Sequence, residues 1–489
     1  MKTLQLFGSG VDSYSKSVTA QRRLNCFYDN RPDSDKAAQV IRGTPGSTLW
    51  LTLPVAPIRG FYVQGNLMYV VAKSKFYSVT SAGVITALGT LNTSSGYVSI
   101  SDNAVQLLLA DGTNGYIYTL VTGSYAQSAL NTAGSFGAIT DANFPAGASA
   151  VAFIDGRFLA NLGNSRQVFA SYSYDGTNWG GTAPASIIYF TKENSSDKLI
   201  NVESFEGTII LWGQSSIEFW QDVGGATLPY QRVTGSTSIY GLAAILSVAT
   251  VAGLEYFLAN APSGSVQVCV LNAYQPKTVS TADIEHIINS FSVVSDAIGV
   301  NYLIDGHDMY QLTFPTANRS FLFDAVMNMW SETQTGTTPY TRHYANYGVV
   351  FNDGNYFSDA TTGNIYQLAP TIYTDNGVTI VRQCTTVHIR NQGNIFTISE
   401  LYLDMDTGEG VQSGQGSNPQ IMLETSKDQG RTFGTPRMVN IGAVGQYMVR
   451  VIARRFGQAR DFVFRITLTD PVPFIITDSA VTTITQEGN

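Results

Sequence analysis

Four histidines, one acidic turn, one serine–aspartate–glycine motif and one cluster of arginines are the residues whose types offer chemistry in this 489-residue chain. His286, His307, His343 and His388 are scattered, with neither H-x-x-x-H nor HExxH spacing, so they supply no zinc site by pattern. We read His286 as a surface residue and His307 as part of a turn. Neither a G-x-S-x-G elbow nor a Walker loop occurs. The stretch SKDQGRTF at 426–433 has the spacing S-x-D-x-G-x-T-[WF]. There Asp428 can accept backbone N–H groups across a tight turn, Gly430 takes the unusual φ and Phe433 anchors the hairpin in the core. DMDTGEG at 404–410 gathers Asp404, Asp406 and Glu409 around a glycine. Calcium favours such oxygens, but the EF-hand spacing is missing, and the stretch reads as a solvated turn.

The basic cluster is the least ordinary feature. Lys427, Arg431, Arg437, Arg450, Arg454, Arg455, Arg460 and Arg465 fall in a window that holds only two acids, Asp428 and Asp461. The chain as a whole carries 28 Lys+Arg against 36 Asp+Glu, a net charge of −8. Such a balance disfavours a generic nucleic-acid binder. We therefore single out Arg450, Arg454, Arg455 and Arg460 as an interface, flanking an expected turn at FGQA (456–459). Arg450 and Arg454 share a strand face with Met448 and Ile452, a mixture suited to neither core nor plain solvent surface. The competing reading is the solvated outer face of two strands. No cofactor or metal is expected.

Almost every element that must position these residues is a strand. Charged residues are only 13%, about half the ordinary share, while hydrophobic residues reach 44%. Disorder and coiled coil are excluded on that composition. Short runs rich in Val, Ile, Tyr, Phe and Thr alternate with Gly, Asn, Asp and Ser clusters. A turn followed by an aromatic strand recurs at Gly65, Gly115, Gly156, Gly207, Gly253, Gly306 and Gly354, with spacings of 41 to 53 residues. That period fits a four-stranded blade, and blades bury their faces only by packing around an axis. The fold is thus expected to be all-β: a β-propeller of six or seven blades over 45–375, then a C-terminal β-sandwich over 376–489. Residues 1–44 form a charged, turn-rich lead-in that either wraps the propeller or closes its last blade. One short helix is expected at 281–291, with Ile284, Ile287, Ile288 and Phe291 on one face. In DFVFRITLTD at 461–470, period-two alternation predicts one face in and one face out.

Three widely spaced cysteines, Cys26, Cys269 and Cys384, define neither a disulfide framework nor a zinc pattern, and a reducing compartment is the simpler reading. The apolar stretch 241–259 is interrupted by Thr250, Gly253 and Glu255, so it reads as buried strands and no membrane-spanning segment is expected. TLQLF at 3–7 is too short for a secretory signal.

Several stretches, taken in order, resemble one family. They are TIILWGQSSIEFWQDVGGA at 208–226, STADIEHIINSF at 280–291, SFLFDAVMNMWSE at 320–332, LETSKDQGRTFGTPRMVNIG at 423–442 and VRVIARRFGQARDFVFRI at 449–466, with LNCFYD at 24–29 and RGTPG at 42–46 in the lead-in. The set is similar to the packaged-DNA stabilisation protein, the tail hub or nozzle, of short-tailed podovirus phages. The resemblance implies a structural virion protein without enzymatic activity. Its implied form is a homohexamer that assembles in the host cytoplasm below the portal and adaptor ring. It would close the DNA channel, let double-stranded DNA pass transiently at ejection, and carry the tail needle, fibres or tailspikes. The alternative is a glycan-binding or sialidase-like propeller, because the serine–aspartate turn motif also occurs in sialidases. Such an enzyme needs an arginine cluster and paired carboxylates or a Tyr/Glu pair on the axis.

Overall fold

The computed structural model describes residues 2–5, 8, 10–30, 39–180, 187–225 and 228–486. Seven antiparallel sheets of the blade type follow one another along the chain. Blade 1 is Ile58–Gln64, Leu67–Ala72, Lys75–Thr80 and Ile85–Thr90, and blade 2 runs from Ser99–Asp102 to Phe136–Ala138. Blades 3 and 4 start at Val151–Ile154 and Leu199–Phe205. In blade 5, Gly241–Leu242 and Ala249–Val251 share the inner position beside Leu254–Asn260. Blade 6 spans Ile298–Ile304 to Met329–Thr333. Blade 7 is Ala345–Phe351, Gly354–Asp359 and Asn364–Ala369, completed by Gly46–Thr52 from near the start of the chain. Its inner strand lies against that of blade 1, so the ring closes. Pairing the two ends of the propeller in one sheet removes the open edge that a linear row of blades would expose. Gly46, at the start of the closing strand, passes so near the Thr374 backbone that a Cβ would lie 2.2 Å from its carbonyl oxygen.

Five of the seven repeat glycines sit in the turn between the first two strands of a blade, and Gly354 opens the second strand of blade 7 just after that turn. Gly115 is one hairpin out of phase, because blade 2 makes its first turn with Ala104 at φ +68°. This explains the short 41-residue interval. Adjacent blades pack large rings between them: Tyr69, Phe76 and Tyr116 are buried at the blade 1–2 seam, and Trp212 meets Phe257 at 4.7 Å at the blade 4–5 seam. The apolar 241–259 stretch supplies the inner strands of blade 5. No helix among the described residues is long and apolar enough to cross a membrane. The one α-helix among the described residues, Ala282–Asn289, is capped by Thr281 and buries Ile284 and Ile288.

The sandwich draws on both ends of the chain. One sheet runs Cys26–Asn30, Gln39–Gly43, Ile475–Gln486, Phe396–Met405 and Val451–Ala459, with Lys2–Gln5 also paired to Ile475–Gln486. The other is continuous with blade 6: Met329–Thr333 is followed by Arg23–Leu24, Arg382–Thr385, Asp461–Leu468, Gln420–Ser426 and Arg437–Asn440. The lead-in therefore threads between propeller and sandwich, and the closing strand of the propeller lies just after it. Its Asn25, in the left-handed region at φ +51°, donates through Nδ2 to the carbonyls of Gln334 and Val381. The same side chain accepts from the Gln334 amide and the Thr333 hydroxyl. Strand Asp461–Leu468 departs from the one-face expectation: Val463 and Thr467 are buried as well as Phe462, Phe464, Ile466 and Leu468. Among its coverings is the lead-in, where the Lys16 carbonyl meets Nε2 of His388 and Nδ1 of His388 bonds Asp461.

Candidate functional site

The arginine cluster lies on adjoining edges of the two sandwich sheets. Val451–Ala459 ends one sheet order and Arg437–Asn440 ends the other, and the two strands touch. The expected turn at FGQA is not there. The strand runs through it with a bulge, Glu400 facing Arg454 while Ile398 faces Gly457, and the extra residue Arg455 takes φ +66°. The bulge shifts the alternation, so Val451 and Ala453 point inward, Phe456 also points inward, and Arg454 and Arg455 are both exposed. Arg460 joins strands belonging to opposite sheets, not the two arms of a hairpin, and donates to the Gly393 carbonyl at 2.5 Å.

Each guanidinium has a different degree of freedom. Arg454 bonds Glu400 at 2.8 Å yet leaves 64% of its side chain in solvent. Arg450 lies over the Tyr402 ring at 6.0 Å. Arg437 donates to the Arg454 and Arg455 carbonyls and covers the buried Phe456 at 4.9 Å. Arg465, by contrast, is held by both oxygens of Glu424. Met438, next in sequence to Arg437, and Tyr447 and Met448, in the segment leading into Val451–Ala459, are exposed, Met448 at 93%. Charged edges discourage pairing with a stray strand. Exposed Met, Tyr and Arg along these edges have the composition of a protein-binding surface.

The serine–aspartate turn is structural. Asp428 accepts from the Arg431 and Thr432 amides and the Thr432 hydroxyl, and the Ser426 hydroxyl accepts the Gly430 amide. Desolvation pushes the Asp428 carboxyl up, but these bonds outweigh it and hold it at about 2. Phe433 is only half-buried, stacked beneath Arg465 at 4.0 Å instead of anchored in the core. Among the described residues, no group of three or more His, Cys, Asp or Glu could hold a metal.

The histidines serve packing and pairing. His286 is exposed against the Tyr14 ring at 4.9 Å. His343 is pushed down to about 3 by burial and by Arg342. His307 is not in a turn: it opens strand His307–Phe314, is 5% exposed, and lies between Asp324 at 2.7 Å and Asp29 at 3.3 Å. The hydrogen bond to Asp324 raises its pKa against the effect of burial. Arg42 completes the link, bonding Asp29 at 3.1 Å and Asp305 at 2.6 Å, so the cluster ties blade 6 to the sandwich. The cue in the sequence was the aspartates at 29, 305 and 324, but only the lead-in's path brings the first to the others.

Residues from all seven blades line a cavity of about 270 Å³ on the propeller axis. Its wall carries Phe61, Tyr97, Glu203 and Tyr347, and no Arg or Lys. Glu203 lies on the inner strand of blade 4, and Glu255, which interrupts the apolar 241–259 stretch in the sequence, lies on blade 5. The sialidase-like reading finds no arginine cluster there, and its turn motif is consumed by its own backbone bonds.

Two family models match in order: "Bacteriophage P22 Gp10, beta-propeller" over residues 33–373 and "Bacteriophage P22 Gp10, beta-sandwich" over 381–483. No curated protein is similar enough to be matched to the chain. Among solved structures, an extracellular domain assigned to a hybrid two-component system of B. thetaiotaomicron is 8% identical at a TM-score of 0.43, covering 77% of this chain. The chain spans only 45% of that protein's length. The Doa1 WD40 propeller (11% identical, 66% of this chain, 96% of its own, TM-score 0.39) and the Cps50 (Swd1) propeller of Myceliophteria thermophila (10%, 66%, 100%, 0.41) also match.

Proposed function

Because the chain belongs to the phage P22 Gp10 family, we propose that it works as the ring-forming tail hub, or nozzle, of a short-tailed podovirus. At the coarser level it is a phage tail protein of the virion that stabilises packaged DNA, with a structural role. The observation that carries the finer reading is the match of both models, in order, to the propeller and the sandwich. In this reading six copies assemble in the host cytoplasm, dock beneath the portal–adaptor ring after packaging, and hold the channel shut until ejection. The sandwich edge with Arg450, Arg454, Arg455 and Arg460 supplies a docking surface for an acidic neighbour, either the next copy or the adaptor. The needle, fibres or tailspikes attach to the completed ring.

The rigidity of the seam suits such a plug. A ring that resists internal pressure must not flex between its domains, and here a sheet runs unbroken from blade 6 into the sandwich. The test is reconstitution. Heads packaged in the absence of this protein should leak DNA to nuclease and become protected when the purified chain is added. Protection that never returns, with the protein demonstrably bound, would remove the retention role.

A further inference from the structure

Glu203 lines the axial cavity, and Glu255 lies behind it across the blade 4–5 seam, where Trp212, bonded to Glu203, meets Phe257 two residues along the strand from Glu255. Glu203 stands opposite Ile210 on the inner strand of blade 4. Glu255 alternates with Phe257 and Ala259 on the strand that packs against Ile210 and Trp212. Trp212 Nε1 donates to Glu203 Oε2 at 3.0 Å, and Thr250 Oγ1 donates to Glu255 Oε1 at 2.6 Å. Glu255 is only 1% exposed, and its other oxygen, Oε2, is buried without a hydrogen-bond partner. An anionic oxygen left bare in the interior is strongly disfavoured unless a proton or an opposite charge sits beside it.

Nothing basic does so. No Arg or Lys lines the cavity, and no described salt bridge reaches either glutamate. Burial raises both carboxyls above the usual range, and the charge of Glu255 adds to the rise at Glu203. Tyr97, on the same wall, has its hydroxyl pushed up to about 12, chiefly by burial and in part by Glu203. Apart from the Trp212 N–H on Glu203, the groups at hand are oxygens: two carboxylates, the Thr250 hydroxyl and any water held in the adjoining cavity, which is large enough for several. Hard cations take that set, and Ca²⁺ takes it more readily than Mg²⁺ because it accepts irregular geometry and bound water.

We propose that Glu203 and Glu255 bind a divalent hard cation, Ca²⁺ in preference to Mg²⁺, in the blade 4–5 seam, with water entering from the axial cavity that Glu203 lines completing its shell. The ion neutralises the two carboxylates and clamps blade 4 to blade 5. The inference stands apart from the tail function, since it concerns a site inside one copy of the chain.

The experiment is thermal unfolding of the full chain at neutral pH after EDTA treatment, then with millimolar CaCl₂ or MgCl₂. The wild type should gain several degrees with CaCl₂ and less with MgCl₂. Glu203→Gln and Glu255→Gln, which keep shape and remove charge, should lose that gain while matching or exceeding the wild type in EDTA. The surface variant Asp353→Asn, distant from the pair, should keep the gain and so controls for general salt effects. A wild type indifferent to both cations, with the Gln variants stabilised only as pH rises, would overturn the proposal in favour of a proton shared by the pair. A gain that persists in both Gln variants would overturn it in favour of another site.

Discussion

At the seam between propeller and sandwich, buried charge is matched by partners supplied from distant parts of the chain. Glu332, 2% exposed, receives Arg22 at 2.8 Å, Arg319 at 3.1 Å and the Asp12 amide at 2.9 Å. Arg382, fully buried, donates to the Thr44 and Tyr373 carbonyls. In the blade 4–5 seam beside the axial cavity, Glu255 is equally buried and keeps a bare oxygen. The two places pay the same desolvation cost, but only the seam recovers it within the chain. Paired burial fixes one arrangement of parts. Unpaired burial stores an affinity for something that comes from outside, a proton or an ion.

The largest effect should come from the seam. Glu332→Ala leaves Arg22 and Arg319 facing each other in a dry site, and removing one member of a buried ionic group costs about 3–5 kcal/mol. Urea unfolding should show that loss, with the sandwich melting apart from the propeller. A loss of only ~0.5 kcal/mol, typical of exposed pairs, would break the contrast. Asn25→Ala should come next, at about 2–3 kcal/mol in the same assay. It strands the Gln334 and Val381 carbonyls and puts alanine at φ +51°.

The pH dependence sharpens the same comparison. His307 is raised by Asp324 and Asp29, so its contribution is complete below its unfolded value of ~6.5 and lost as pH rises through the folded value. Glu203 and Glu255 are raised by burial, so the folded chain holds their protons more tightly than the unfolded one. Their contribution is complete below the unfolded ~4.3 and fades as pH rises through the higher folded values. Without divalent ions, melting temperature should therefore fall from weakly acidic to weakly alkaline pH. His307→Gln should remove the upper part of that slope and Glu255→Gln the lower. Identical slopes in all three proteins would show that neither group is linked to folding.

The propeller was legible because its signals are local. A turn glycine and an aromatic strand carry their own geometry, and blade 2 was out of phase only because Ala104 did the work of a glycine. The helix at 282–289 was legible for the same reason: Thr281 and the isoleucines lie within one short segment. The seam was not, because its order is set by contacts between residues some 300 positions apart, such as Asn25 with Gln334. His307 looked like a turn residue for want of Asp29, and Glu203 and Glu255 looked unrelated until the blades were closed. The FGQA segment misled through composition: Gly457 serves a bulge at φ +72°, a positive-φ need that a turn and a bulge share.

The smallest effect on stability, and the most direct bearing on assembly, is expected from the sandwich edge. Arg454 spends its one ion pair, with Glu400, in solvent, and such pairs are worth about 0–1 kcal/mol. Arg455 is exposed on the bulge with its backbone already held by Arg437. Arg454→Glu combined with Arg455→Glu should thus leave the fold within about 1 kcal/mol of wild type. It reverses the charge on the edge strand that follows the bare Tyr447 and Met448, an edge along which an acidic partner would have to settle. Rim pairs act on encounter and weaken with salt, whereas the apolar centre does not. Co-sedimentation with portal–adaptor particles should accordingly fail for the double mutant at low salt, and wild-type binding should weaken as salt rises. Met448→Asp should abolish binding at every salt concentration if the bare methionine is the centre of the patch. Wild-type binding by the double mutant at both low and high salt would return these arginines to edge protection, which keeps Val451–Ala459 from pairing with stray strands and asks nothing of a partner.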